Sequence, residues 1–273
     1  MDRFPGAGGV EIAWQRWMPE GDPVGVVVIA HGVSEHSDRY AHVAERLNKA
    51  GYAVAALDHR GHGDSEGKRA VIDRMDNAIA DVGTTISLAR ELAPGTKLTL
   101  LGHSMGGCIG LEYALRHPET IDNLILSAPA TDLEAANAFE RIAARVASAI
   151  APGAGVFPVD PTTISRDPDV VTAYIEDPRV FHKKLPARTV AEMAGVIDTF
   201  PDRVPSLELP LLVILGTGDR LVPPAAGRMV HELASSPDKQ LIEYEGLYHE
   251  VLNEPEQEKV MGDVVGWLDA RMI

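Results

Sequence analysis

Residues 102–107 read Gly-His-Ser-Met-Gly-Gly, between the apolar run Lys97-Leu98-Thr99-Leu100-Leu101 and a helical pattern from Cys108 to His117. A strand, a Gly-x-Ser-x-Gly turn and a helix in direct succession form a nucleophile elbow. Ser104 must then occupy strained backbone on a sharp turn, so that its hydroxyl projects free of the sheet. The helix starts almost against the strand, where side chains at 102 and 106 would collide, and both positions are glycine. The helix N-terminus also points unsatisfied N–H groups at the hydroxyl and favours developing negative charge. One short stretch therefore fixes a reactive atom, a local fold unit and the sheet edge where its partners must lie.

The remaining pattern is strand and helix in alternation. Val10–Trp17 reads as an early antiparallel strand, and the β-branched run Val24–Ala30 as a strand buried on both faces. Helix 40–50, strand 52–57, helix 75–92 and strand 120–127 follow. From 131 to 205 the text becomes helical, with prolines at 152, 158, 161, 168, 178, 186, 201 and 205 and no strong strand run. Leu209–Leu215 resumes the buried-strand pattern, followed by helix 224–234, strand 240–244 and a closing helix 255–272. This predicts an α/β fold of the α/β-hydrolase class: a mostly parallel sheet with helices on both faces and a helical cap insertion. The expected division is a core of residues 1–130 and 206–273 with a cap of 131–205 over the C-terminal edge of the sheet.

A serine hydroxyl needs a base, and the base needs an orienting carboxylate; in this fold the chain order is Ser, then Asp or Glu, then His. Of ten histidines, His249 follows the last strand, in Glu245-Gly246-Leu247-Tyr248-His249-Glu250, where its loop opens on the edge that carries Ser104. The others read as surface or structural histidines. Asp219 follows Leu209–Leu215 in Gly216-Thr217-Gly218-Asp219, where the glycines free the backbone to turn the carboxylate inward. Its rivals are Asp132, after an earlier strand, and Asp198, within the helical segment. The oxyanion of the tetrahedral intermediate needs two N–H donors. These are expected from Met105 and from Val33, in the His31-Gly32-Val33 loop after the first buried strand, with His31 fixing that loop.

Composition narrows the function. A net charge of −15 argues against nucleic acid and against purely electrostatic attachment to anionic lipid. One cysteine, Cys108, excludes an intrachain disulfide and reads as a small buried residue. The cluster His59-Arg60-Gly61-His62-Gly63-Asp64 looks metal-like, but it closes a strand in a loop this fold carries there, and no HExxH or paired-Cys motif accompanies it. Neither a metal nor a cofactor is expected. No signal peptide or membrane-spanning stretch is read, so the expectation is a cytoplasmic protein, with loose attachment to a membrane or envelope left open.

His31-Gly32-Val33-Ser34-Glu35-His36-Ser37-Asp38-Arg39-Tyr40 resembles the HG-x-x-EH-x-x-RY signature of the monoacylglycerol lipases, a family of serine α/β-hydrolases. The Asp58–Ser65 loop, Gly102–Gly107, Gly218-Asp219 and the His249 loop fit it too, as does Tyr174-Ile175-Glu176-Asp177-Pro178, so the resemblance spans nearly the whole chain. It implies a lipid substrate, one acyl chain esterified to glycerol, with Glu35, Arg39 and Tyr174 near the glycerol end. Glu35 and Arg39, four apart and opposite in charge, equally suit a salt bridge at a helix start. Residues 140–160 match no motif, which leaves acyl-chain preference open.

Phe139, Ile142, Val146 and Ile150 mark one helix face, and Val190, Met193, Ala194 and Ile197 another. Both suit packing onto the core, and also an acyl entrance that touches lipid. Alternatives with the same triad are a lysophospholipase, a broad carboxylesterase and a cofactor-free haloperoxidase; a non-catalytic binding protein on this scaffold is a further one. Haloalkane dehalogenases and epoxide hydrolases would need aspartate at 104.

Overall fold

The computed structural model describes residues 1–132 and 147–271. Its frame is an eight-stranded sheet. Strands β1 (Asp2–Pro5), β2 (Glu11–Trp17), β3 (Gly25–Ala30), β4 (Tyr52–Leu57), β5 (Leu98–His103) and β6 (Asn123–Ser127) come from the first half of the chain. Next come β7 (Gly155–Phe157) and β8 (Leu185–Pro186), which pair only with each other, and then β9 (Leu211–Gly216) and β10 (Lys239–Tyr244). The order across the large sheet is β1-β2-β4-β3-β5-β6-β9-β10. The β1–β2 and β2–β4 pairings are antiparallel and all the others in that sheet are parallel.

The continuous apolar runs follow from burial on both faces. In β3, Val26, Val28 and Ala30 join the core under α2 (Met75–Arg90) and α3 (Met105–Arg116). Val27 and Ile29 join the opposite core, under α1 (Ala41–Lys49) and α8 (Gln257–Asp269). The remaining helices are α4 (Pro168–Glu176), α5 (Ala187–Ile197), α6 (Phe200–Arg203) and α7 (Pro224–Leu233), and residues 147–150 are also helical.

Three local differences from the sequence reading stand out. The sequence pattern does not predict β1, because four residues ending in a proline carry no periodicity. The β7–β8 ribbon lies in the proline-rich stretch read as free of strong strands, and its strands are only three and two residues long. The strand expected over 120–127 starts later, at Asn123, after a 3-10 turn over Pro118–Thr120.

Residues 147–205 contribute no strand to the large sheet. They are fastened to the rest of the chain by polar contacts at several points. Thr189 Oγ1 donates to Ala70 O at 2.6 Å, Glu192 Oε2 accepts from Met75 N at 2.9 Å, and Phe181 N donates to Ser34 O at 2.8 Å. The buried His36 meets Asp177 through Nε2 at 2.8 Å, and Arg166 pairs with Glu254 at 3.0 Å. On α5, Met193, Ala194 and Ile197 are buried, while Phe139, Ile142 and Val146 lie outside the described residues. Ile150 is 80% exposed.

Candidate active site

Ser104 stands between β5 and α3 with φ 52° and ψ −117°, in the left-handed half of backbone space that only a few non-glycine residues occupy. The fold enforces this conformation. Ser104 N donates to Ser127 O, and Ser104 O accepts from Cys108 N and Ala130 N, each at 3.0 Å. A Cβ on Gly106 would lie 2.0 Å from Ala30 O, and one on Gly102 would lie 2.4 Å from Gly106 O. The helix thus packs directly on the strand end and leaves the Ser104 side chain at the C-terminal edge of the sheet.

His249 and Asp219 meet from the loops after β10 and β9. His249 Nδ1 lies 2.7 Å from Asp219 Oδ2, and Asp219 Oδ1 accepts from the N–H groups of Leu221 (2.8 Å) and Val222 (3.0 Å). A carboxylate accepts only, so Nδ1 carries the proton and the Nε2 lone pair is left for a hydroxyl. The two loops are stitched together: Gly218 N donates to Leu247 O and Thr217 N to Tyr244 O, both at 2.9 Å. Gly216 and Gly218 lie in a turn closed by Asp219 N donating to Gly216 O at 3.3 Å, yet neither has a positive φ, and it is the close approach that demands glycine: a Cβ on Gly216 would come 2.2 Å from Leu247 O. Burial opposes a charge on the His249 ring, but Asp219, aided by Glu250 and Glu35, outweighs it and holds the pKa above that of a free imidazole. Neighbouring His103, whose ring centroid is 4.7 Å from that of His249, is pushed down to about 4 by burial and by His249, and stays neutral.

Ser104, His249 and His103 border one cavity, with Gly32, Val33 and Met105 on its wall. The N–H groups of Val33 and Met105 meet no acceptor among the described residues. His31 holds the Val33 loop in place: its Nδ1 donates to Gly32 O at 2.6 Å, and its Nε2 accepts from His59 N at 2.9 Å. The apolar wall comes largely from residues after 156, among them Phe157, Ile164, Leu185, Val190, Met193 and Leu221.

Glu35 and Tyr174 also border the cavity, whereas Arg39 lies behind them. Its guanidinium carbon sits 4.8 Å from the Tyr174 ring centroid, and its Nη1 and Nη2 donate to Glu35 and Glu250. Burial works against the Glu35 charge, yet the Arg39 guanidinium, with a hydrogen bond from Tyr40, brings its pKa down to about 2. Asp132 lines the cavity too, but it is Asp219 that meets the His249 ring. Asp58 of the His-rich loop is taken up by the amides of Ser37 and Asp64, both at 2.8 Å. Among the described residues no group of three or more His, Cys, Asp or Glu side chains is placed to hold a metal ion. No described helix is long and apolar enough to cross a membrane.

Sequence reasoning missed Glu250, Asn253, His103 and the His36–Asp177 contact as parts of this region. Glu250 and His103 each adjoin a candidate residue, which was a usable signal. The His36–Asp177 pairing spans 141 positions and has none.

Known proteins share this architecture. The family described as serine aminopeptidase, S33 (Hydrolase_4) matches residues 21–256. A monoacylglycerol lipase of Mycolicibacterium smegmatis is 44% identical over 97% of this chain and 95% of its own length. A human monoglyceride lipase is 32% identical over 97% of this chain and 89% of its own. A crystal structure of Paleococcus ferrophilus monoacylglycerol lipase superimposes with a TM-score of 0.84 at 33% identity, covering 94% of this chain and 98% of that one. With its sheet order, its serine elbow and these relatives, the chain belongs to the serine α/β-hydrolase family that this description and these lipases represent, and is a carboxylic ester hydrolase of it.

Proposed function

We propose that this protein hydrolyses monoacylglycerol to glycerol and a free fatty acid through an acyl-enzyme on Ser104. The observation that carries this reading is one apolar cavity with the Ser104 elbow and the Asp219-bound His249 on its wall. His249 Nε2 takes the Ser104 proton as Oγ attacks the ester carbonyl. Asp219 steadies the imidazolium, and the N–H groups of Val33 and Met105 bind the oxyanion. His249 then returns the proton to the leaving glycerol oxygen. Water, deprotonated by the same ring, releases the fatty acid and restores Ser104. Residues 131–205 serve as the cap that encloses the acyl chain. Glu35 and Tyr174 border the glycerol end, with Arg39 supporting them from behind.

The charge of the cavity favours a neutral head group over a phosphorylated one. Its wall carries Glu35, Asp132 and Glu250, and no Lys or Arg among the described residues. Among the described lining residues a phosphodiester would meet carboxylates, two of them already paired with Arg39, and no cation of its own. The test is the initial rate on mono-, di- and triacylglycerol and lysophosphatidylcholine of one chain length. A rate at least about tenfold higher on monoacylglycerol, or about 1.4 kcal/mol of transition-state discrimination, is expected. Comparable rates on the lysophospholipid, or activity confined to short soluble esters, would overturn the substrate and leave the triad standing.

We further propose that the cap segment touches lipid through exposed Ile150, Phe157 and Ile175. With a net charge of −15, such contact rests on apolar burial. Replacing Ile150 and Ile175 together with serine is expected to slow hydrolysis of emulsified substrate more than that of a soluble short-chain ester. Equal losses on both would refute the contact.

A further inference from the structure

The candidate oxyanion loop after β3 and the candidate base loop after β10 come from opposite ends of the chain. Turnover requires both to be held to within a fraction of an ångström of each other. A continuous chain of buried and partly buried polar contacts joins them. Gly32 N donates to Glu35 Oε1 at 2.6 Å, and Tyr40 Oη donates to the same oxygen at 2.7 Å. Arg39 Nη1 donates to Glu35 Oε2 at 2.5 Å. The same guanidinium grips Glu250, with Nη1 to Oε1 and Nη2 to Oε2 both at 2.7 Å, and Asn253 Nδ2 adds a third donor to Oε2 at 2.7 Å. Glu250 directly follows His249 in the chain. We infer that Glu250 is a positioning residue that ties the His249 loop, through Arg39 and Glu35, to the loop that presents the Val33 N–H.

Two features separate this bridge from an ordinary salt link. Arg39 engages two carboxylates at once, which a planar guanidinium can do and an ammonium cannot match in geometry. Glu35 is 2% exposed and Glu250 5%, so one guanidinium is buried with two carboxylates and a negative charge is left over. For stability alone an excess buried charge is a poor arrangement. It suits a site whose neighbouring ring turns positive during proton transfer. The groups facing His249 are Asp219, Glu250, Glu35 and neutral His103. Removing the Glu250 charge therefore weakens the field that favours the imidazolium.

The inference rests on the Ser104–His249 reading, and the test separates the two. The whole chain is assayed with a soluble p-nitrophenyl ester across pH. Glu250→Gln keeps the shape and loses the charge. It is expected to lower kcat by about 10²-fold, the scale of a small misplacement of catalytic groups. KM should stay within about threefold of the parent, as for an interaction made only in the transition state. The acid limb of kcat/KM should move to lower pH, because a less stabilised imidazolium loses its proton sooner. Arg39→Lys should lower kcat as well, and the double variant should be no worse than the poorer single one. Parental kcat in Glu250→Gln, an unmoved acid limb, or additive losses would overturn the inference. If Glu250→Gln does not melt cooperatively, Arg39→Lys decides by the same kcat readout. Turnover retained in Ser104→Ala would instead sink the triad itself.

Discussion

Ser104→Ala is expected to fold like the parent and to lose at least about 10⁴-fold of its ester turnover. The side chain is small, and the strained backbone at φ 52° is imposed by the bonds to Ser127, Cys108 and Ala130, none of which uses the hydroxyl. Alanine can adopt the same conformation at the same cost, so the melting temperature should move by no more than a few degrees. The chemistry, by contrast, has no substitute. Buried Cys108 lies one turn further along, but burial, with the nearby Glu112 carboxylate, raises its thiol pKa far above the ordinary value and leaves it a poor nucleophile. Thermal melts of both proteins and turnover of one soluble ester check the expectation. A fluorophosphonate probe should label the parent and not the variant. Near-parental turnover in the variant would remove Ser104 from the mechanism, and failure of the parent to label would favour a binding protein on a hydrolase scaffold.

Gly106→Ala is expected to destabilise the fold by about 3 kcal/mol or more, the upper range for forcing extra volume into a packed site. Helix propensity alone predicts the reverse, since alanine in a helix interior is favoured over glycine by roughly 0.8–1.0 kcal/mol. Contact geometry decides the sign. The added Cβ would sit 2.0 Å from Ala30 O and 2.5 Å from both Ala30 C and His31 O, all of them backbone atoms that no rotamer change can clear. Relief requires α3 to move off β3, which also withdraws the Met105 N–H from the candidate oxyanion hole. Gly110 on the same helix is the matched control. Its Cβ would meet Leu100 Cδ2 at 3.5 Å, an ordinary contact, so Gly110→Ala should be neutral or mildly stabilising. Urea midpoints for the two variants test the argument. Equal midpoints would show that the strand–helix junction yields more easily than its contacts imply.

Much of this site was legible in the sequence because its signals are local. The elbow is written in six consecutive residues, and strand, turn and helix each have their own pattern. Asp219 and His249 could be chosen from many rivals because each follows the end of an apolar strand run. The glycines beside Asp219 do more than turn the backbone: they allow the Asp219 and His249 loops to touch, a fact about two segments that neither shows alone. The same limit hid Glu250. Its neighbour in sequence marked the place, but its partner Arg39 lies 211 positions away, and no pattern in either segment announces the other. Arg39 and Glu35 could be read as a helix-start pair because they are four apart. That the guanidinium reaches past Glu35 to a second carboxylate depends on sheet order. β1 and the β7–β8 ribbon escaped for a simpler reason, since strands this short carry too few residues for alternation to register.

The strand order has a further consequence for how the chain is made. The six strands encoded before residue 128 are contiguous in the sheet, and both later strands join at the single edge left by β6. During synthesis the part that bears Ser104 can therefore assemble first, while Leu124, Ile125 and Leu126 wait on an unpaired edge until β9 emerges. Translating residues 128–210 takes roughly 4–16 s at ordinary rates. For that interval the nascent sheet holds Ser104 without the candidate acid and base, and with an apolar edge open to any other strand. A ribosome stalled between β6 and β9 would thus expose an aggregation-prone sheet of six of the eight strands, lacking Asp219 and His249.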